Sequence, residues 1–128
     1  MTQESKTNKK SIDALINKLA YDFVQGITDK KHLNEIDKAL GVLSNDGVYA
    51  YFVYVEAKGI GDIFLNKIKS LIDIVEINKD GKKIEELNQD YFQKLSEDLN
   101  SLLFFRDILE KILIYARYHA KALGEKNE

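Results

Sequence analysis

The chain has 128 residues, 45% of them apolar and 31% charged, which is the balance of one soluble globular domain rather than of a disordered segment. It contains no cysteine, which excludes a disulfide framework, a thiolate metal site and a cysteine nucleophile, and no proline, where average usage would place about six. Its 19 basic and 21 acidic residues leave a formal charge of −2, spread evenly as 8 against 9 in residues 1–64 and 11 against 12 in residues 65–128, so neither half has the field of an autonomous nucleic-acid binder.

Residues 1–10 are polar and carry no apolar run behind their lysines, which reads as a solvated N-terminal arm and not a secretory signal. Residues 11–128 then form one helical domain. Ile12, Leu15, Ile16, Leu19, Ala20, Phe23, Val24 and Ile27 recur at helical spacing, with Ser11 placed to cap the start and Gly26 near the end. A second helix is predicted after Asp29, on Leu33, Ile36, Leu40 and Leu43, finishing near Gly41. Ser44-Asn45-Asp46-Gly47 reads as a turn containing an N-cap.

Val48 to Val55 is Val-Tyr-Ala-Tyr-Phe-Val-Tyr-Val, and propensity alone would make it a strand. Alternation fails, however, and no convincing second strand is available to pair with it. A buried helix ending at Lys58-Gly59 is the better reading. Gly61-Asp62 opens a further helix with Phe64, Leu65, Ile68, Leu71, Ile72 and Val75 on one face, stopping before Asn78-Lys79-Asp80-Gly81. That loop also allows a small hairpin between Ile74 to Ile77 and Lys82 to Leu87 as an alternative.

From Asp90 the apolar positions Phe92, Leu95, Leu99, Leu102, Leu109, Leu113, Ala116 and Ala120 follow steps of three, four or seven, and Asp90 with Gln93 resembles a capping box. The pattern predicts one helix from Asp90 to Leu123, roughly 50 Å long, with Asn100-Ser101 as its weakest point. Phe104, Ile108, Tyr115 and Tyr118 form a second apolar strip on its other side, which predicts packing on two sides and a central place in the bundle. The expected fold is therefore all-α: a compact bundle of five to six helices around a long C-terminal helix.

Chemistry-bearing motifs are few. Glu76 to Gly81 has the oxygen spacing that opens a calcium loop, but Leu87 stands at the twelfth position, where a bidentate glutamate is needed, and a polar surface loop is the plainer reading. His32 and His119, the two histidines, have no metal-ligand pairing, and no nucleophile elbow is present. Gly59-Ile60-Gly61 lacks the remainder of a phosphate loop. No catalytic residue, metal or cofactor is expected.

Arg106 falls inside the leucine stripe of the last helix, either with its stem packed and its head paired to a carboxylate such as Glu110, or held at a groove to meet phosphate. Arg117 and Lys121 lie one turn apart and interleave with Tyr115, Tyr118 and His119, the mixture that single-stranded nucleic acid uses for backbone and base contact. Complementarity to the helix dipole accounts for a basic last turn equally well. Lys67 and Lys69 are weaker candidates on what otherwise reads as a solvated face.

Two segments carry a resemblance. Asn45-Asp46-Gly47 leading into Val48–Val55 and Lys58, and Asp90-Tyr91 leading through Leu102-Leu103 and Leu109-Glu110-Lys111-Ile112-Leu113 to Ala116-Arg117-Tyr118-His119-Ala120-Lys121, resemble the small all-helical subunit of the type III-B (Cmr) CRISPR effector complex, the fifth protein of that set. The resemblance covers about half of the chain. It implies a non-catalytic, cytoplasmic subunit that stacks in more than one copy along a ribonucleoprotein filament, with other CRISPR effector subunits and the guide and target RNA as partners. Near-neutral charge suits such a role, because affinity would come from neighbours and avidity. On that reading Arg106, Arg117, Lys121, Lys67 and Lys69 are the candidate RNA-binding residues. The small subunits of type III-A and type I-A effectors are the nearest alternatives. A helical adaptor using Tyr49, Tyr51 and Tyr54 as an exposed protein-recognition surface is another, and a helix-turn-helix DNA reader has the least support. No run approaches the length of a membrane span.

Overall fold

The computed structural model describes the backbone of residues 2–27, 30–78, 80–81 and 83–126, and the side chains of residues 12–27, 32–78, 80–81 and 83–123. It is an all-helical bundle, with no strand among the described residues. Helix α1 spans Thr2–Gln25, α2 Lys30–Asp46, α3 Val48–Lys58, α4 Gly61–Phe64, α5 Leu71–Ile74, α6 Gln89–Ser96 and α7 Leu99–Lys126, and a 3-10 turn covers Asn66–Ile68 between α4 and α5.

The first helix begins earlier than its apolar pattern suggests. Its backbone is helical from Thr2, so Ser11 lies inside α1 rather than at its cap, and residues 2–10 extend the helix instead of forming a separate arm. Asp29, the expected start signal of the second helix, lies outside the described residues. Helix α2 runs through Gly41 to Asp46, so the expected Ser44–Gly47 turn shrinks to Gly47 alone. Gly47 makes this possible with φ 97° and ψ −174°, a backbone region that side-chain-bearing residues essentially never occupy. Its N–H donates to the Leu43 carbonyl at 3.0 Å and its carbonyl accepts from Tyr51 N–H at 3.1 Å, joining two helices through one residue.

Helix α3 settles the helix-or-strand question in favour of the helix. Val48, Tyr51, Phe52 and Val55 are buried at steps of three and one, while Tyr49 and Val53 face solvent. Gly59 closes it in the left-handed conformation, φ 66°, with Ile60 N–H bonded back to the Val55 carbonyl. The hydroxyl of Tyr51 donates to the Phe64 carbonyl at 2.7 Å inside the core, fixing α4 against α3, and burial pushes that phenol well above the usual tyrosine range.

The expected fourth helix is broken. Phe64, Leu65, Ile68, Leu71, Ile72 and Val75 are all buried as the pattern requires, but they sit on α4, the 3-10 turn and α5, closed largely by i→i+3 bonds such as Ile68 N–H to the Leu65 carbonyl. This stretch is rich in isoleucine, a weaker helix former than leucine, so packing rather than local propensity sets its winding. Among the described residues no hairpin follows it: between Val75 and Asn88 they carry no helix or strand, and Ile84 and Leu87 are buried.

The long C-terminal helix is also two helices, with the break at Glu97–Asp98 instead of at Asn100-Ser101. Caps explain both starts. Asn88, rather than the expected Asp90 box, accepts from Tyr91 N–H at 3.0 Å to open α6, and Asp98 accepts from Ser101 N–H at 3.2 Å to open α7. The break shifts the phase of the apolar stripe, which leaves Leu99 67% exposed. Further along, Phe105, Ile108, Leu109, Ile112, Leu113 and Ala116 are buried, and α7 packs against α1, α2, α3 and α6. Rings from three helices meet at its first turns, with Phe52 stacked on Phe92 at 4.6 Å and Phe105 edge-on to Phe92 at 5.6 Å.

Candidate functional site

Helix α2 lies antiparallel along α7, and two arginines eleven residues apart on α7 tie the pair together. At one end the Arg106 guanidinium donates from Nη2 to the Ser44 carbonyl at 2.8 Å. Ser44 is in the last turn of α2, where carbonyls have no partner within the helix and where the helix dipole favours a cation. Arg106 thus meets a backbone oxygen, not the carboxylate foreseen from its place in the stripe. Three turns further on, Arg117 Nε faces Asp37 Oδ1 at 3.1 Å, with both side chains largely open to solvent.

Arg117 and Lys121 line one shallow groove of about 200 Å³ between α2 and α7, together with Leu33, Asn34, Asp37 and Ala120. They are the two sequence candidates brought into a common site. Lys67 instead crosses the end of α1, so close to Gly26 that a Cβ added there would lie 3.0 Å from its Cε. Lys69 borders a separate depression with Ser70, Asp73, Ile84 and Glu85, whose two carboxylates make it a poor cradle for phosphate. Arg106 lies roughly 16 Å along the helix from Arg117 at ~1.5 Å per residue. The five cations therefore do not form one continuous groove.

On the side turned away from the Arg117 groove, α7 presents aromatic rings to solvent. Tyr115 is 45% exposed and Tyr118 64% exposed, and Phe104 lies on the same side, with Lys111 among them by helical spacing. Of the second apolar strip only Ile108 is buried. Two-sided packing of α7 thus fails at Phe104, Tyr115 and Tyr118, because α1 and α2 flank the opposite side and no described element crosses this face. His119 packs edge-on against Tyr21 at 5.8 Å, joining the ends of α1 and α7, and His32 is half-buried in the first turn of α2.

Two features escape a sequence reading. Asp37, the partner of Arg117, carries no signal beyond being a charge on an amphipathic helix. Glu35 is only 4% exposed and accepts a 2.5 Å hydrogen bond from the Tyr54 hydroxyl, with Lys38 Nζ at 3.9 Å. Burial, and then the bond to Glu35, push the Tyr54 phenol up to about 12. Lys58 lies 5.8 Å from the centre of the same ring. These contacts correct the expectation of three equivalent exposed tyrosines: Tyr51 is inside, Tyr54 is tied to Glu35, and Tyr49 alone lies on the surface, where its hydroxyl accepts from Gln89 Nε2 at 2.6 Å.

In the Glu76–Gly81 loop the side-chain oxygens of Asn78 and Asp80 have internal partners. Asn78 Oδ1 accepts from Asp80 N–H at 3.0 Å, and Asp80 pairs with Lys94, whose ammonium that contact holds above its ordinary pKa. Among the described residues no group of three or more His, Asp or Glu is placed to hold a metal ion, and no helix is long and apolar enough to cross a membrane. Comparison with known proteins adds no family to this description: no family model matches the chain, and no curated protein or solved structure matches it at a significant level.

Proposed function

We propose that the chain is a non-catalytic small subunit of a type III-B CRISPR effector, repeated along the complex in the cytoplasm, bound to other effector subunits and helping to hold the guide and target RNA in antiviral defence. The observation that carries this reading is the C-terminal end of α7, where Arg117 and Lys121 share a groove with α2 and Tyr118, exposed, stands one turn before Lys121, with Tyr115 exposed on the far side of the helix. Guanidinium and ammonium groups meet phosphate, and exposed rings stack on unpaired bases. A near-neutral chain with one small cationic site suits a subunit whose affinity is shared with its neighbours. Sequence would be read by RNA pairing, leaving this surface to contact backbone shape. The resemblance of residues 45–58 and 90–121 points the same way.

The test is co-purification of the tagged chain from its native host. Guide RNA and effector subunits are expected to come down with it, and their absence from a folded, soluble bait refutes the proposal. Charge reversal at Arg117 and Lys121 is expected to weaken RNA-dependent assembly while the helical circular-dichroism signal persists.

A type III-A or type I-A small subunit is the closest variant of this reading, distinguished by which subunits co-purify. The adaptor reading, with no nucleic acid, draws on a different observation: Leu99, Leu103 and Phe104 are exposed together at the start of α7. It predicts that alanine substitutions there abolish partner capture while RNA is never recovered.

A further inference from the structure

We infer that Asp37 is an internal competitor for the phosphate site, an acidic latch that holds Arg117 until an RNA backbone displaces it. The inference rests on the RNA-contacting reading of the Arg117–Lys121 groove and says how that site is regulated. Its basis is the contrast between the two arginine ties on the α2–α7 seam. Arg106 serves a backbone carbonyl that belongs to the fold and has no partner of its own in α2. Arg117 is engaged by a side-chain anion on the surface, at 3.1 Å, with 50% of the arginine side chain and 60% of the aspartate side chain exposed.

Ion pairs this open to water contribute little to stability, because solvent screens the attraction and two long side chains must be held still. Such a pair is readily exchanged. A phosphate diester offers the guanidinium fork two non-bridging oxygens in place of the carboxylate, and Lys121 on the same groove wall adds a cation that the Asp37 contact does not use. Asp37 does more than neutralise the site: by standing where the phosphate oxygens would dock, it sets a threshold that a single loose phosphate does not pass and that a strand also held by Lys121 and stacked on the exposed Tyr118 next to it does. The carboxylate thus suppresses non-specific anion binding by a free subunit.

The experiment measures binding of a fluorescein-labelled single-stranded oligouridine to the full-length chain by anisotropy at low and at physiological salt. The variants are Asp37→Asn, Arg117→Gln, the double variant, Lys121→Gln, and Asp13→Asn as a control for loss of an exposed acid elsewhere. Asp37→Asn is expected to tighten binding about two- to five-fold beyond the control, the range an exposed ion pair allows, and to lose that gain in the Arg117→Gln background. If Asp37→Asn behaves like Asp13→Asn while Arg117→Gln and Lys121→Gln weaken binding, the latch is wrong and the RNA site stands. If Arg117→Gln and Lys121→Gln change nothing, the RNA reading fails and the latch fails with it. A purely structural tie would lower the melting temperature equally in both single variants and leave RNA affinity where it was, which also overturns the latch.

Discussion

The two ends of α7 use the same kinds of residue for opposite purposes. Near its start, Phe105 is fully buried among Phe92 and Tyr91, and Arg106 closes the last turn of α2. Near its end, Tyr115 and Tyr118 stand in solvent and Arg117 meets a surface carboxylate. What differs is coverage. Helices α3 and α6 pack over the first turns, while among the described residues the last turns have α1 and the start of α2 beside them. Aromatic and arginine side chains under cover act on stability, and the same side chains without cover are left for contact with something else.

The sharpest way to break this contrast is at the covered rings. Phe105→Ala is expected to cost about 3–5 kcal/mol in denaturant unfolding, by lost transfer energy and the cavity left behind. Tyr118→Ala, three and a half turns on, should stay within about 0.5 kcal/mol of the parent. Equal losses would mean that the far end is as much core as the near one. Gly47→Ala comes next, because an alanine must adopt φ 97° at the junction that places the end of α2 under Arg106; a loss of about 1–3 kcal/mol is expected in thermal melts.

The arginine pair itself tests the comparison more finely. Arg106→Ala is expected to cost about 1 kcal/mol, by removing a charge-assisted bond and leaving a helix-end carbonyl to water, whereas Arg117→Ala should fall below about 0.5 kcal/mol. A reversed order would move the structural tie to the far end. The last effect is seen only at alkaline pH. The Tyr54 phenol, at about 12 in the folded chain against 10.0 ordinarily, keeps its proton where the unfolded chain loses it. Its contribution is fully present below pH 10 and is lost as pH rises from about 10 to 12. Tyr54→Phe should therefore flatten that part of a stability–pH curve, and a phenolate absorbance titration should lose one late-ionising group.

Much of the architecture is legible in the order of apolar residues. Helix α3 is the clearest case: an eight-residue β-branched and aromatic run becomes a helix because its neighbours are helices and nothing is present for it to pair with as a strand. The errors share one cause. Gly41 and Asn100-Ser101 read as breaks on propensity, yet α2 continues through the first and α7 has already begun before the second. Propensities of a few tenths of a kcal/mol per residue yield to packing and to a well-placed cap such as Asp98. For the site, Arg117 and Lys121 are visible as neighbours at helical spacing, but Asp37 and Glu35 are not, since their partners are 80 and 19 residues away in the chain.

The missing prolines and the recurrence of leucine and isoleucine at helical spacing determined that the chain is all-α and that its last helix is long, because a hydrophobic stripe needs only local geometry to declare itself. Which side of that helix is covered was left to the tertiary structure. A stripe of Phe104, Tyr115 and Tyr118 has the same pattern whether buried or bare, and only the number of helices that pack around α7 decides between them. The same holds for the arginines: a guanidinium carries its charge in the sequence, but whether it meets a carbonyl at a helix end or a carboxylate open to exchange depends on what the fold sets opposite it.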